Sequence, residues 1–340
     1  DLSLLDDKIG LIVDLYKRTT EDLLVQPQVA GTIGSAAVPF QNVASMENRG
    51  IDLNLSYRGN ITSDLSWSTS IVATHYRNEI TKVSEDNEEF FDNAGLDLPN
   101  QTILHRVGHS VGQFYGLKYT GVIRSDTEAD NLPDKPGGNF AGGWKFEDVD
   151  GDGEITEADD RVFIGNPHPD LTLGWNLGFD YKNFDLSIFF FSSIGNDIYN
   201  YHKYFYETGR WSSNFSKRVL TDTWTPERTD AELPQLNADN NTSAGVPSSY
   251  YVEDGSYVRL KNLQVGYNLP KSVLSSIGVA SLRIYLQAQN LFTITGYSGI
   301  DPALSNVNIG SDRENSIVMG VDLGNYPANR TYAIGLSVGF

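Results

Sequence analysis

The segment Asp148-Val149-Asp150-Gly151-Asp152-Gly153-Glu154-Ile155-Thr156-Glu157-Ala158-Asp159 holds the residues best placed to do chemistry, and the chemistry is that of a hard divalent cation. An EF-hand-type loop wraps Ca²⁺ with oxygens from loop positions 1, 3, 5 and 12, and glycine at position 6 allows the sharp turn. Asp148, Asp150, Asp152 and Asp159 fall on those four positions and Gly153 on the turn. Glu154 at position 7 offers its backbone carbonyl, and Thr156 at position 9 acts directly or through a water. Asp159 stands where a bidentate Glu is usual, so ligation there is weaker. No long helices flank the loop. The ion is therefore expected to pin a loop rather than to act as a calcium sensor. The bland alternative is an acidic turn without metal.

Two other patterns have less behind them. Gly108-His109-Ser110-Val111-Gly112 matches the G-x-S-x-G elbow of serine hydrolases, which needs a strand before it and a helix after it. The following Gln113-Phe114-Tyr115-Gly116-Leu117 reads as extended chain, so a chance match is favoured over a catalytic Ser110. His105 and His109 are four apart, but with no helix and no third ligand they do not make a zinc site. Tyr199, Tyr201, Tyr204, Phe205, Tyr206 and Trp211 crowd one stretch. Tyr201, Tyr204, Tyr206 and Trp211 are candidate contacts for a substrate or a lid, against the alternative of a small aromatic core.

The elements that must carry these groups are strands. Tyr332, Ile334, Leu336, Val338 and Phe340 alternate with Ala333, Gly335, Ser337 and Gly339. A period of two means a strand with two different environments on its faces. The same alternation marks 9–16, 51–58, 65–73, 171–179, 184–190, 263–267 and 282–288, which makes eight strands. Short turns are expected at Gly59-Asn60, at Lys182-Asn183 and within 269–278. Long excursions are expected at 25–44, 80–168, 196–253 and 293–325. Short turns at one rim and long loops at the other is the pattern of outer-membrane barrels. Tyr57, Phe179, Tyr181, Tyr267 and Phe340 fall near the short-turn ends, where an interfacial aromatic girdle belongs.

Composition is compatible with that reading. No run approaches the roughly 18 apolar residues of a membrane helix. The negative mean hydropathy of −0.32 does not count against a barrel, whose strands are apolar only at every second residue. The absence of cysteine removes disulfides and thiolate metal sites. The net charge of −19 argues against nucleic acid as a partner, because phosphates would be repelled. Between Thr81 and Asp160 there are 18 acidic against six basic residues, so the acidity is concentrated in the 80–168 excursion. The opening Asp1-Leu2-Ser3-Leu4 reads as the tail of an earlier strand, with a turn at Leu5-Asp6-Asp7 and no signal peptide before it.

Several stretches are similar to the SusC/RagA family of TonB-dependent outer-membrane transporters. Gln289-Asn290-Leu291-Phe292 followed by Tyr297-Ser298-Gly299-Ile300-Asp301-Pro302 resembles that family's NLF…Y-x-G-x-DP signature. Ser256-Tyr257-Val258-Arg259-Leu260-Lys261-Asn262 and Gly266-Tyr267-Asn268-Leu269-Pro270 resemble its SYxRLKN…GYxLP strand. Tyr181-Lys182-Asn183-Phe184-Asp185-Leu186 with Gly195-Asn196-Asp197 resembles its YKNFDL…GND hairpin. Trp224-Thr225-Pro226-Glu227 and Asn48-Arg49-Gly50 also fit, in family order along nearly the whole chain. Ala303 departs from the acidic residue usual after the DP.

The resemblance implies an all-β fold: an antiparallel transmembrane β-barrel, of which residues 1–340 are the last eight or so of 22 strands, with plug and TonB box absent. It implies TonB-dependent import of oligosaccharides or oligopeptides and no enzyme activity. The implied partners are a SusD-like surface lipoprotein, TonB through the missing N-terminal region, the lipid bilayer, and the barrel assembly machinery reading Phe340. The long loops are then extracellular, at the outer membrane of a Gram-negative bacterium. The alternative is a small standalone barrel with an adhesive or structural role, whose filled interior would pass nothing large.

Overall fold

The computed structural model describes residues 1–25, 41–84, 87–91, 101–209, 214–236, 243–274, 279–304 and 319–340. The alternating segments form one ten-stranded sheet. Its strands are β1 (Leu2–Leu4), β2 (Ile9–Val25), β3 (Gln41–Asn60), β4 (Leu65–Lys82), β5 (Leu171–Tyr181), β6 (Phe184–Ile194), β7 (Tyr257–Asn268), β8 (Ser281–Gln289), β9 (Thr293–Thr295) and β10 (Thr331–Gly339). They lie side by side in chain order, except that β9 pairs beside β8 on the far end of β7. All of these pairings are antiparallel. No helix among the described residues is long and apolar enough to cross a membrane.

Register turns the alternation of each strand into two continuous surfaces. Ile9, Tyr57, Thr69, Leu177, Ile188, Leu263, Ala288 and Tyr332 stand opposite one another in a single row across the sheet. The next row along belongs to the other face: Gly10, Ser56, Ser70, Asn176, Phe189, Asn262, Gln289 and Thr331. A one-residue slip would exchange the two surfaces, which is why the pattern holds the register firmly. Among the described residues, no protein layer covers the apolar face. Leu15 is 78% exposed, Ile334 73%, Leu336 66% and Leu286 60%. Such a surface is stable only against an apolar medium.

All eight expected strands are present, but three run well past the alternating stretches. β2, β3 and β4 have 17, 20 and 18 residues. Register shifts after Thr20 and at Ser45–Met46 interrupt the period there, so alternation alone could not reveal the extensions. They shorten the excursions expected at 25–44 and 80–168. The turn expected at Gly59-Asn60 lies one step later: β3 continues through Asn60, and Thr62 Oγ1 accepts from the Asp64 and Leu65 amides. The reversals at Leu5-Asp6-Asp7 and at Lys182 do use positive φ, between 53° and 63°.

At the other rim the excursions are folded together. Ile103, Phe114, Trp144, Tyr199, Tyr251 and Val321 are each at most 1% exposed and belong to one core drawn from three different connections. Small sheets organise this cap, one of them pairing 197–200 with both 252–254 and 321–322. Aromatic density gives these long connections a hydrophobic core of their own, which irregular loops of that length would lack.

Candidate functional site

The cap is fastened to the polar face of the wall, above β4. Asn78 is the joint. Its Oδ1 accepts from the Val111 amide at 2.8 Å, and its Nδ2 donates to Asn48 Oδ1 at 2.9 Å. Its backbone carbonyl accepts from Ser110 Oγ at 2.8 Å. Ile80 exchanges backbone hydrogen bonds with His109 and Gly108. Gly108 and Gly112 take φ of 82° and 77°, which bends the segment back onto the wall. The G-x-S-x-G match is thus a docking turn with Ser110 as a structural donor. One step away, Tyr76 donates to His168 Nδ1 at 3.0 Å while His168 Nε2 donates to the Val111 carbonyl at 3.0 Å. Burial lowers the His168 pKa, against the opposing pull of that carbonyl.

His105 and His109 do not converge. His105 is fully buried, stacks on Phe90 at 4.6 Å, and accepts from the Gly112 amide through Nδ1. Burial depresses its pKa to about 3, so it is a neutral core histidine. His109 stacks on Phe163 at 3.9 Å and meets Gln113 Oε1.

In the acidic loop, the carboxylates of Asp148, Asp150 and Asp152 come within 4.8 Å of one another. Oxygens sharing one Ca²⁺ at about 2.3–2.6 Å lie about 3–5 Å apart, so these three fit one ion. Gly151 and Gly153 adopt φ of 79° and 93°. Their amides donate to the two carboxylate oxygens of Asp148 at 2.6 and 3.0 Å, which aims that side chain inward. At Asp150 the Asp152 amide bond lowers the pKa, but burial and the charges of Asp152, Asp160 and Asp148 outweigh it and the net shift is upward. Like charges crowd here, and a cation would relieve them. Glu154 is held by the backbone: its neighbours Ile155 and Gly153 bond to Asp134.

Asp159 lies outside the group of three, its Oδ2 accepting from Thr156 Oγ1 at 3.2 Å. The loop is closed instead by Asp160, which is fully buried and accepts from the Val149 and Thr156 amides at 2.8 and 2.7 Å. Sequence reasoning passed over Asp160 because two adjacent aspartates look alike and only their burial separates them.

Of the aromatic candidates, Tyr201 and Tyr204 are 4% and 5% exposed and stack on each other at 5.2 Å inside the cap core. Packed inward, they offer no ring face to a ligand, so the small-core alternative describes them better than the contact reading. Tyr206 is 41% exposed and lies parallel to His202. Trp211 lies outside the described residues. Phe340 follows β10 and is 97% exposed.

Two buried polar clusters tie the last connection down. Tyr297 donates to Asp322 Oδ2 at 2.6 Å, the Gly324 amide donates to Oδ1 at 2.9 Å, and His202 Nε2 stands 3.5 Å away. Arg259 meets Asp301, and Asp301 also accepts from the amides of Ala303 and Ala328. A cleft between wall and cap is lined by Pro167, Pro169, Ser193, Asn196, Tyr257 and Leu304.

No family profile matches the chain. Curated relatives do. TonB-dependent receptor P3 of Formosa agariphila is 37% identical over 341 residues, which is all of this chain and 33% of that protein. TonB-dependent receptor SusC of Bacteroides thetaiotaomicron is 28% identical over 348 residues, all of this chain and 31% of that protein. Among solved structures, the RagAB peptide importer matches in its "closed-closed" state with a TM-score of 0.77 and in its "open-open" state with 0.75. Both are 26% identical and cover 99% of this chain, and 34% and 33% of theirs. Over its whole length the chain is similar to TonB-dependent receptors of the SusC/RagA kind. It spans about a third of the length of the curated relatives it matches.

TonB-dependent receptors are outer-membrane barrel proteins, and the sheet of this chain matches a stretch of such a barrel's wall. Its apolar rows are the lipid-facing surface and its polar rows the interior. At the short-turn rim Tyr57 and Trp67 pack at 4.9 Å, and Phe184 and Tyr267 at 4.7 Å, as an interfacial girdle requires.

Proposed function

We propose that this receptor chain works within a TonB-dependent importer of oligosaccharides or oligopeptides, with its cap on the extracellular side. The observation that carries this reading is the fastening of the cap to the interior face at Asn78, which leaves the Pro167–Tyr257 cleft between cap and lumen. Similarity to a peptide importer favours peptides, with oligosaccharides as the alternative. Substrate would be captured at that cleft, and TonB would act through a part of the receptor outside this chain. A SusD-like lipoprotein is the proposed cover. Phe215, Leu220 and Tyr206 are 49%, 79% and 41% exposed around the helix Lys217–Asp222, an apolar patch suited to such a partner. Phe340 is proposed as the group read by the barrel assembly machinery.

We further propose Ca²⁺ for the acidic loop, held by Asp148, Asp150, Asp152 and the Glu154 carbonyl. Bound there, the ion neutralises the crowded carboxylates and stiffens the loop. Asp160 supports the loop from behind through its two amide bonds.

The test is deletion of 214–222 in the full-length receptor. Growth on the imported nutrient should be lost while surface abundance of the protein is unchanged, since assembly depends on the wall. Normal growth would remove the patch, and the lipoprotein cover with it, from the mechanism.

A further inference from the structure

The lipid-facing surface of β2–β4 ends abruptly toward the cap. Its last apolar row contains Leu15 and Ile51, opposite His75 on β4. The next row on the same face is Lys17, Arg49 and Arg77, directly opposite one another across three strands. The row beyond is Thr19, Glu47 and Glu79. Apolar, cationic and anionic layers thus follow in order of height.

The cationic row is exposed and only partly compensated. Glu47, 7% exposed, is gripped by Lys17 at 2.5 Å and by Arg49. The Lys17 and Arg49 side chains remain 59% and 64% exposed. Arg77 is exposed and makes no ion pair among the described residues. Three cations directly opposite one another repel, an arrangement that sheets avoid without a counter-charge. On a barrel wall, the first row past the apolar band lies at headgroup depth. Adjacent strands are about 4.8 Å apart, so the row spans about 10 Å, the scale of one phosphorylated headgroup.

We infer that Lys17, Arg49 and Arg77 form a binding site for a phosphate-bearing lipid headgroup in the leaflet on the cap side. Arginine forks match phosphate oxygens two at a time, and Arg77 has both arms free to do so. The acyl chains of the same lipid run down over Leu15, Ile51 and Leu53, which face outward beneath it. That continuity with the apolar surface commits the site to a lipid rather than to a free anion. The inference rests on the barrel placement of the wall and goes beyond the import reading.

The full-length receptor, purified in dodecyl maltoside, should melt at a higher temperature when diphosphoryl lipid A is titrated in. Arg77→Gln removes a cation with no internal partner, so its melting without lipid should be unchanged. Its lipid titration midpoint should rise at least fivefold, and Arg49→Gln/Arg77→Gln should raise it tenfold or more. Arg18→Gln makes the same charge change on the interior face of β2 and should leave the midpoint where it was. Dephosphorylated lipid A and inorganic phosphate at matched concentration should each fail to reproduce the shift. Equal midpoints for the wild type and Arg77→Gln would overturn the site. A full shift from inorganic phosphate would overturn the lipid assignment.

Discussion

Arg259 and Asp301 meet at 2.5 Å in the interior, with side chains 4% and 10% exposed, although 42 residues separate them in sequence. Arg259 lies on β7 in the SYVRLKN stretch and Asp301 in the YSGIDP stretch. Two motifs that look independent in the chain are thus the two halves of one contact. Arg259 Nε also donates to Thr293 Oγ1 at 2.8 Å, and Asp301 holds the Ala303 and Ala328 amides at 2.9 Å each. The pair therefore pins the connection between β9 and β10 onto β7.

Removing one partner strands the other charge in a dry site. Asp301→Ala is expected to cost about 3–5 kcal/mol of local stability. Hydrogen exchange at 293–304 and 326–330 should accelerate while β2–β4 keep their protection. Uniform exchange across the chain would show that the pair is not the local anchor.

The face assignment can be tested within β8. Ile284→Arg places a charge on the lipid side and should cost about 2–4 kcal/mol. Gln287→Arg, on the interior side, loses only the 2.7 Å bond to Asn262, about 1 kcal/mol. The assembled fraction on unheated gels reports both, and equal fractions would contradict the register.

The eight alternating strands were legible because a period of two survives in every one of them. The overlong ends of β2–β4 were not, since bulges near Thr20 and Ser45 shift the phase. The cap was legible only as length and aromatic content. Its core brings Phe114, Tyr199 and Val321 together across some two hundred residues, and no local pattern encodes such contacts. At the acidic loop the spacing identified Asp148, Asp150 and Asp152, which the structure brings together, but it could not tell Asp159 from Asp160.

Calcium should raise the melting temperature of the cap in the wild type and not in Asp150→Ala. Asp160→Asn should lower it with or without the ion, because its carboxylate holds backbone amides. Calorimetric titration of the receptor after chelation separates the two effects. A calcium response retained by Asp150→Ala would refute the ligand set.

Acid should loosen the cap through His105. Its folded pKa, depressed by burial from 6.5 to about 3, means that the neutral form is the one favoured in the fold. The stability it contributes is complete above pH 6.5 and declines as the pH falls from there toward 3. At pH 5 the loss should be about 2 kcal/mol. His105→Gln, which keeps an acceptor for Gly112, should flatten the pH dependence of cap melting between pH 7 and 5. An unchanged slope would assign the acid sensitivity to other groups.

The seams that hold the cap have a mechanical meaning. It is bonded to β4 at Asn78 and Ile80, to the end of β6 through the Asp170 amide and the Ile194 carbonyl, and to β7 through Arg259. A piece fixed to three staves cannot swing without tearing hydrogen bonds, so it acts as a rigid collar and not as a hinged flap. A collar of this kind fixes the diameter and orientation of the mouth, and its thermal fluctuations should follow those of the wall. In the importer proposed above, any step that opens or shuts the passage would be timed by a body seated on the collar, with the collar supplying the reference frame against which that body moves.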